Sequence, residues 1–546
     1  MRSAMTRCFG RSGCDGPAAD SASGKLGVIG LASLVFYAVS GTPAGTEDTI
    51  VAAGPLLALV GFLVMPIVWA IPESLVTAEL STAFPHNGGY VIWVANAFGP
   101  TAGFVEGMLK FLSGILDNCA YPVMMLNYFR QLPNSALASD DTGRVFVAGV
   151  TVALSGAQWL GLEIVGTASA VVLAVTMIPF VILVFGGIGT VKWSRLGGRR
   201  LEGDIDWALY LQTLFWNLNY WDAVSTLASE VENPSRTFPR ALLLAGVATV
   251  SMYLLVLGVA IGNTPDGVEW DNSQLADAGL YVGGPWLQIW IVVSVAISAS
   301  GLFLADLSTG IFMLDGMAQL GMLPKVLSWK NRNGVPIVAF FVQVTFVFAF
   351  IQMVQRLEDI VSYSMVSYCF SQLLEFVAFV RLRQVCPAVK RPFRVPGGLR
   401  EAAVLVTPAL MFTVAVMCFS EWDVWVAALA QVVVSVALAV LCRWQRQSRP
   451  HLFVVDVTTS SADLGGDFND DDGGADDELL IEADVLGRGE DGDDDPCRVP
   501  DAYGELVEAD VNGYMEVTPD SDNARLDHEV TDGPGLANHT SVDDST

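Results

Sequence analysis

Seven carboxylates fall inside stretches that are otherwise almost wholly apolar: Glu73, Glu106, Asp117, Asp222, Asp306, Asp315 and Glu375. One base, Lys110, shares that setting. An ionised side chain near the centre of a bilayer costs roughly 2.5–3.5 kcal/mol on insertion scales, so each of these acids needs a reason to be there. Glu106 and Lys110 stand four residues apart on one helical face, and mutual neutralisation accounts for that pair. The remaining acids have no cationic partner in their own segments; a chamber lined by them attracts cations, and above all a cation with several charges. The sharpest cluster is LSGILDNCAYP, where Asp117 and Tyr121 share a face, Asn118 adjoins them and Gly114 allows close approach. Carboxylate, amide and phenol suit an ammonium group, and an aromatic face adds up to about 2 kcal/mol of cation–π attraction when dry. An interhelical hydrogen-bond cluster is the plainer alternative.

Two further runs point to a binding site. In FYAVSGTPAGTEDTI, Pro43 removes a backbone donor and Gly41 and Gly45 disfavour helix, so the first apolar span should open between Ser40 and Gly45, just before Glu47 and Asp48. Opened backbone is tolerated in a bilayer only where it is buried in protein or faces a watery cavity. The second run, WNLNYWD, sets Trp216, Asn217, Asn219, Tyr220, Trp221 and Asp222 in the middle of an apolar span five spans later. That offset is what two inverted repeats of five helices predict for a second broken helix, although the run contains neither Gly nor Pro.

The elements that must position these residues follow from length and composition. The chain has 546 residues, is 52% hydrophobic and only 16% charged, which describes a membrane protein. Crossing a hydrocarbon layer roughly 30 Å thick takes about 20 helical residues. Twelve such stretches are expected, at about 26–50, 54–80, 101–129, 144–160, 163–189, 207–230, 238–262, 284–314, 335–355, 359–382, 402–420 and 422–443. The fold class is therefore an all-α, twelve-helix membrane protein. A five-plus-five inverted repeat of the first ten, with helices one and six broken and two more helices following, would give the offset between the two runs. The helical membrane domain is expected at 26–445, between cytoplasmic tails at 1–25 and 446–546 that are expected to be disordered.

The formal net charge of −28 belongs to the second tail, where residues 451–546 hold 28 Asp+Glu against 3 Lys+Arg. Such a segment has too little apolar surface to offset its ordering entropy. Lys325, Lys330, Arg332, Arg381, Arg383, Lys390, Arg391 and Arg394 cluster in loops on the side of the N-terminus, placing both termini in the cytoplasm. Lys192, Arg195, Arg199 and Arg200 run against that rule without reversing it. The first twenty residues lack the apolar core of a cleavable signal, and no cysteine falls in an expected external loop. Neither a disulfide-linked partner chain nor a metal or cofactor is expected, and no nucleic acid.

Several motifs identify a relationship. SEVENPSRTFPRA resembles the signature after the sixth span of the amino acid–polyamine–organocation transporter superfamily, and AELSTAFPHNGGYVIW and FVRLRQVCPAVKRPFRVP resemble those after the second and tenth. With SGTPAGTEDTI, IPESLVTAEL, LSGILDNCAYP and WNLNYWD, the pattern over residues 26–443 is most similar to the polyamine:proton symporters of plants and kinetoplastids. The resemblance implies a multi-pass transporter, most plainly of the plasma membrane, with substrate between helices one and six and against three, eight and ten. Carried over by motif, substrate binding falls to Gly41, Gly45, Glu47, Asp48, Asp117, Asn118, Tyr121, Asn217, Asn219, Tyr220, Trp221, Asp222, Asp306 and Glu375. Glu230 and Arg236 belong to a cytoplasmic gate. In the eighth span, Leu304 and Gly310 stand where plant members would be expected to carry acids, and Asp315 appears elsewhere.

The expected function is uptake of putrescine or spermidine with a proton. Asp117, Asp222 and Glu375 neutralise ammonium groups, Tyr220 and Trp221 close over the methylene spacer, and Glu47 or Asp48 changes protonation as the carrier rocks. Sodium is the less favoured ion; Ser308 and Thr309 with first-span carbonyls would be its ligands. Amino-acid transport is the near alternative, with the substrate carboxylate on backbone amides of Ser40 to Gly45. A transporter-shaped sensor signalling through the acidic tail is the distant one. No nucleophile motif or phosphate loop supports an enzyme.

Overall fold

The computed structural model describes residues 26–453 apart from 86–87, 134, 161–166, 199–203, 272, 355 and 450–451. The expected tail at 1–25 and residues 454–546 of the expected tail at 446–546 lie outside the described residues, as do Arg199 and Arg200, and the start of the latter tail is corrected because helix continues to Ser448. Fifteen α-helices carry the described chain. In order they are α1 Val28–Val39, α2 Asp48–Ala53, α3 Pro55–Ala83, α4 Gly89–Phe98, α5 Pro100–Arg130, α6 Asp140–Trp159, α7 Thr167–Gly187 and α8 Trp207–Asn217. There follow α9 Pro234–Asn263, α10 Gln274–Gly283, α11 Pro285–Gln319, α12 Ile337–Met353, α13 Leu357–Val385, α14 Leu399–Phe419 and α15 Trp422–Ser448. Proline opens α3, α5, α9 and α11, where its missing N–H would have had no helical partner anyway. Among the described residues only isolated bridges occur, and no strand.

Among the described residues seven helices, α3, α7, α9, α11, α13, α14 and α15, are long and apolar enough to cross a membrane. Their outward side chains, among them Ile67, Phe185, Val404, Met411 and Val433, are exposed and apolar, as lipid-facing residues must be. Helix α5 has the length but is diluted by Glu106, Lys110, Asp117 and Asn118, and these are buried together with most of the rest of the helix. A helix buried nearly all round lies in the core. Accordingly α5 packs along α11 and α13, with α4 against its start.

Two helical paths are interrupted at the centre. Chain continuing from α1 leaves helical geometry at Ser40 and resumes at Asp48, with Gly41 at φ 60° and Gly45 at φ 89°. The second interruption follows Asn217, where Tyr220 takes a left-handed φ of 67° before a 3₁₀ segment, Trp221–Glu230. A non-glycine residue in that region is uncommon, which explains why the sequence alone does not demand the break.

Candidate functional site

The two interruptions touch one another beside α5. Asn217 Nδ2 donates to the Gly45 carbonyl at 3.3 Å, and Tyr253 Oη donates to the Asn217 carbonyl at 2.9 Å. Gly45 has to be glycine for a second reason: a Cβ would stand 2.5 Å from the Trp216 ring. With the ring seated there, Trp216 Nε1 donates to Asp117 Oδ1 at 2.7 Å. Ser40, Thr42, Ala44, Asp117, Tyr121, Trp216 and Tyr220 line a cavity of about 30 Å³. That is room for roughly one water molecule.

Tyr121 organises the acids. Its hydroxyl lies 2.9 Å from Asp117 Oδ2 and 2.9 Å from Asp306 Oδ2. A phenol has one proton to give, so it satisfies one carboxylate at a time. The other oxygen is left facing an acceptor unless its carboxyl holds a proton or a cation lies against it. Asp117 and Asp306 therefore form an acid pair with an unmet demand for positive charge, walled by the Trp216 and Tyr220 rings.

Most of the amides of the first interruption have partners. Ser40 N and Gly41 N bond to the Phe36 carbonyl, Thr42 N to Ser40 and Thr46 N to Pro43. Gly45 N donates to Glu47 Oε2 at 2.7 Å, while the Tyr128 hydroxyl donates to Glu47 Oε1. Glu47 thus caps the break from within, and Asp48 is buried at the start of α2.

Other expected site residues lie elsewhere, for identifiable reasons. Lys110 is held by Asp222 and by Glu375, the latter at 2.8 Å, rather than by Glu106. Asp222 and Glu375 are therefore not open to an ammonium group as expected, while Glu106 stays within the electrostatic reach of Lys110 without touching it; three helical paths that are distant in sequence converge there. Trp221 is fully buried against Leu31, Val35 and Phe238, with Nε1 donating to the Leu218 carbonyl at 2.7 Å. The left-handed turn at Tyr220 rotates it away, and Trp216 supplies the pocket's indole instead. Asn118 donates to the Gly114 carbonyl of its own helix at 3.0 Å, and Asn219 packs on Met365. Glu230 ends the 3₁₀ segment, its side chain outside the described atoms, and Arg236 is exposed on α9.

The eighth-span departures also find their places. Gly310 abuts Gln343, whose amide would meet a Cβ at 2.5 Å, so a longer residue there requires Gln343 to move. Asp315 pairs with Lys330 at 3.1 Å, far along α11 from Asp306. Ser308 accepts from Gln158 of α6 at 2.7 Å and Thr309 donates to its own helix at Ala305, so neither hydroxyl turns to first-span carbonyls as a sodium ligand would. Among the described residues no group of His, Cys, Asp and Glu has the arrangement of a metal site.

Residues 26–442 match the family described as amino acid permease. The chain belongs to that family. As a permease it is an integral membrane transporter and not an enzyme, and the match covers both interruptions and every residue of the pocket. It is 42% identical over 420 residues to polyamine transporter RMV1 of Arabidopsis thaliana, covering 76% of this chain and 84% of that protein. It is 39% identical over 436 residues to polyamine transporter PUT1 of Oryza sativa subsp. japonica, covering 80% and 81%. An uncharacterized transporter of Legionella pneumophila, lpg1691, is 25% identical over 383 residues.

Proposed function

We propose that this permease takes up polyamines of the putrescine and spermidine class, coupled to protons, through a twelve-span fold of two inverted five-helix repeats and two further helices. Plasma-membrane residence with both termini cytoplasmic belongs to the same reading. So does a working unit without a disulfide-linked partner. The observation that carries the substrate is the pair Asp117 and Asp306 around a single tyrosine proton. A substrate ammonium seated between them would supply the missing charge and donate to both, while Trp216 and Tyr220 flank the methylene chain. The relatives named as polyamine transporters support this reading. The cavity is too small for a diamine as it stands, so loading requires the two interruptions to part.

Amino-acid transport needs an anion site, and most of the amides expected to form one are already engaged. The N–H groups of Ser40, Gly41, Thr42, Gly45 and Thr46 are engaged, and the one facing Glu47 already holds a carboxylate. A second carboxylate at that position would meet like charge. Sodium coupling loses its expected hydroxyl ligands, as described above, and the proton is the ion the acid-rich interior suits.

Reconstituted vesicles with labelled putrescine test the reading. Asp117→Asn should lower uptake about tenfold or more, the worth of a hydrogen bond to a charged group. Unlabelled spermidine should compete and leucine should not. Full uptake by the variant removes the site, and inhibition by leucine alone reverses the choice of substrate.

A further inference from the structure

We propose that the buried cluster around Lys110, separate from the pocket at Asp117, is a proton-binding site at which Glu106 gains and loses the transported proton. This rests on the proton-coupled reading above and assigns its carboxylate, which the sequence placed at Glu47 or Asp48. Glu47 has one oxygen capping the break at Gly45 N and the other held by the Tyr128 hydroxyl, and a change of charge there would disturb the break.

The cluster draws on five elements. Helix α5 supplies Glu106 and Lys110, α3 supplies Glu73, and α4 supplies Tyr90, over whose ring Lys110 Nζ lies at 4.9 Å. The 3₁₀ segment gives Asp222, and α13 gives Tyr368, Ser371, Gln372 and Glu375. All four carboxylates are at most 2% exposed. Four acids thus surround one ammonium. Lys110 contacts Asp222 and Glu375, whereas Ser371 Oγ donates to Glu106 Oε1 and Tyr368 Oη approaches Glu73 Oε1 at 3.4 Å. The second oxygens of Glu106 and Glu73 are buried without a donor, and the Glu375 carboxyl lies against Glu106 close enough for the two to share a proton. A buried carboxylate with neither a cation nor a donor on one oxygen is stable when that oxygen carries a proton.

The position of the cluster gives the proton something to do. Tyr368 donates to Asp222 Oδ1 at 2.8 Å and lies 3.9 Å beneath the Lys110 ammonium. Its ring meets Tyr220 edge-on at 4.9 Å, and Tyr220 lines the substrate pocket. With Glu106 protonated, Lys110 keeps its hold on Asp222, and the 3₁₀ segment stays docked as seen here. Loss of the proton turns Glu106 into a third anion within the field of Lys110 and draws the ammonium from Asp222. The segment that begins at Trp221 is then released, one ring away from bound substrate. The proton enters from outside, sits on Glu106 and leaves to the cytoplasm.

The test uses the full chain in vesicles, with labelled putrescine measured two ways: accumulation driven by an inward proton gradient, and exchange against internal unlabelled putrescine without a gradient. For Glu106→Gln, which mimics the protonated acid, accumulation should fall about tenfold or more while exchange stays within about threefold of wild type. Glu106→Asp should restore gradient-driven accumulation. Normal accumulation by Glu106→Gln overturns the assignment. Wild type that exchanges putrescine but ignores the gradient overturns proton coupling itself, and wild type that does not exchange overturns the substrate. If Glu106→Gln does not yield folded protein, Ser371→Ala decides. Removing the hydroxyl donated to Glu106 should move the pH midpoint of accumulation upward, and an unmoved midpoint overturns the proposal.

Discussion

Glycine at position 45 is where backbone geometry and site chemistry meet. Its φ of 89° strains any other residue, and a methyl group there would collide with the Trp216 ring at 2.5 Å. Gly45→Ala should therefore cost about 1–3 kcal/mol of stability and, by displacing Trp216, strip Asp117 of its indole donor. Thermal unfolding in detergent reads the first effect and putrescine uptake the second; an alanine variant with normal uptake would show that the indole is dispensable. At this scale the sequence was legible where spacing along one helix suffices. Asp117 and Tyr121 are one turn apart, and the hydroxyl does bond to that acid. The partners of Lys110 were not legible, because they reach it from α13 and from the 3₁₀ segment, more than a hundred residues away. The choice between Trp216 and Trp221 was equally hidden, since it depends on a left-handed residue between them.

Helices were easier to read than their junctions. Runs of apolar residues fix where a helix must lie, and the first interruption was announced by Gly41, Pro43 and Gly45. The second carries no such residue and exists because tertiary contacts hold Tyr220 in an unfavourable conformation. A further junction went unread. Glu79, near the end of α3, binds Arg383 and Arg391, the latter at 3.2 Å, and accepts from Val395 N at 2.8 Å. One carboxylate thereby fastens the end of α3 to the chain that follows α13. Replacing it leaves two guanidinium groups facing each other in a buried place. Glu79→Gln should destabilise the protein by about 3–5 kcal/mol, seen as an earlier thermal unfolding midpoint, while the putrescine affinity of the surviving fraction is unchanged. An unaltered midpoint would mean the clasp is ornamental.

Across the whole chain, the net charge of −28 is a property of one end, and the helical body is nearly balanced. Phe453 is 3% exposed and packs with the core, so a truncation belongs after it. Removal of residues 454–546 should leave vesicle uptake within about twofold of the full chain, as expected for a change remote from the transition state. Collapse of uptake would favour a signalling or gating role for the tail over a bystander. Within the body, the Asn217 amide reaches from one interrupted path to the Gly45 carbonyl of the other. On the proposed cycle the two paths must come apart there before a diamine can seat, so that latch is the contact which loading breaks and an empty carrier remakes.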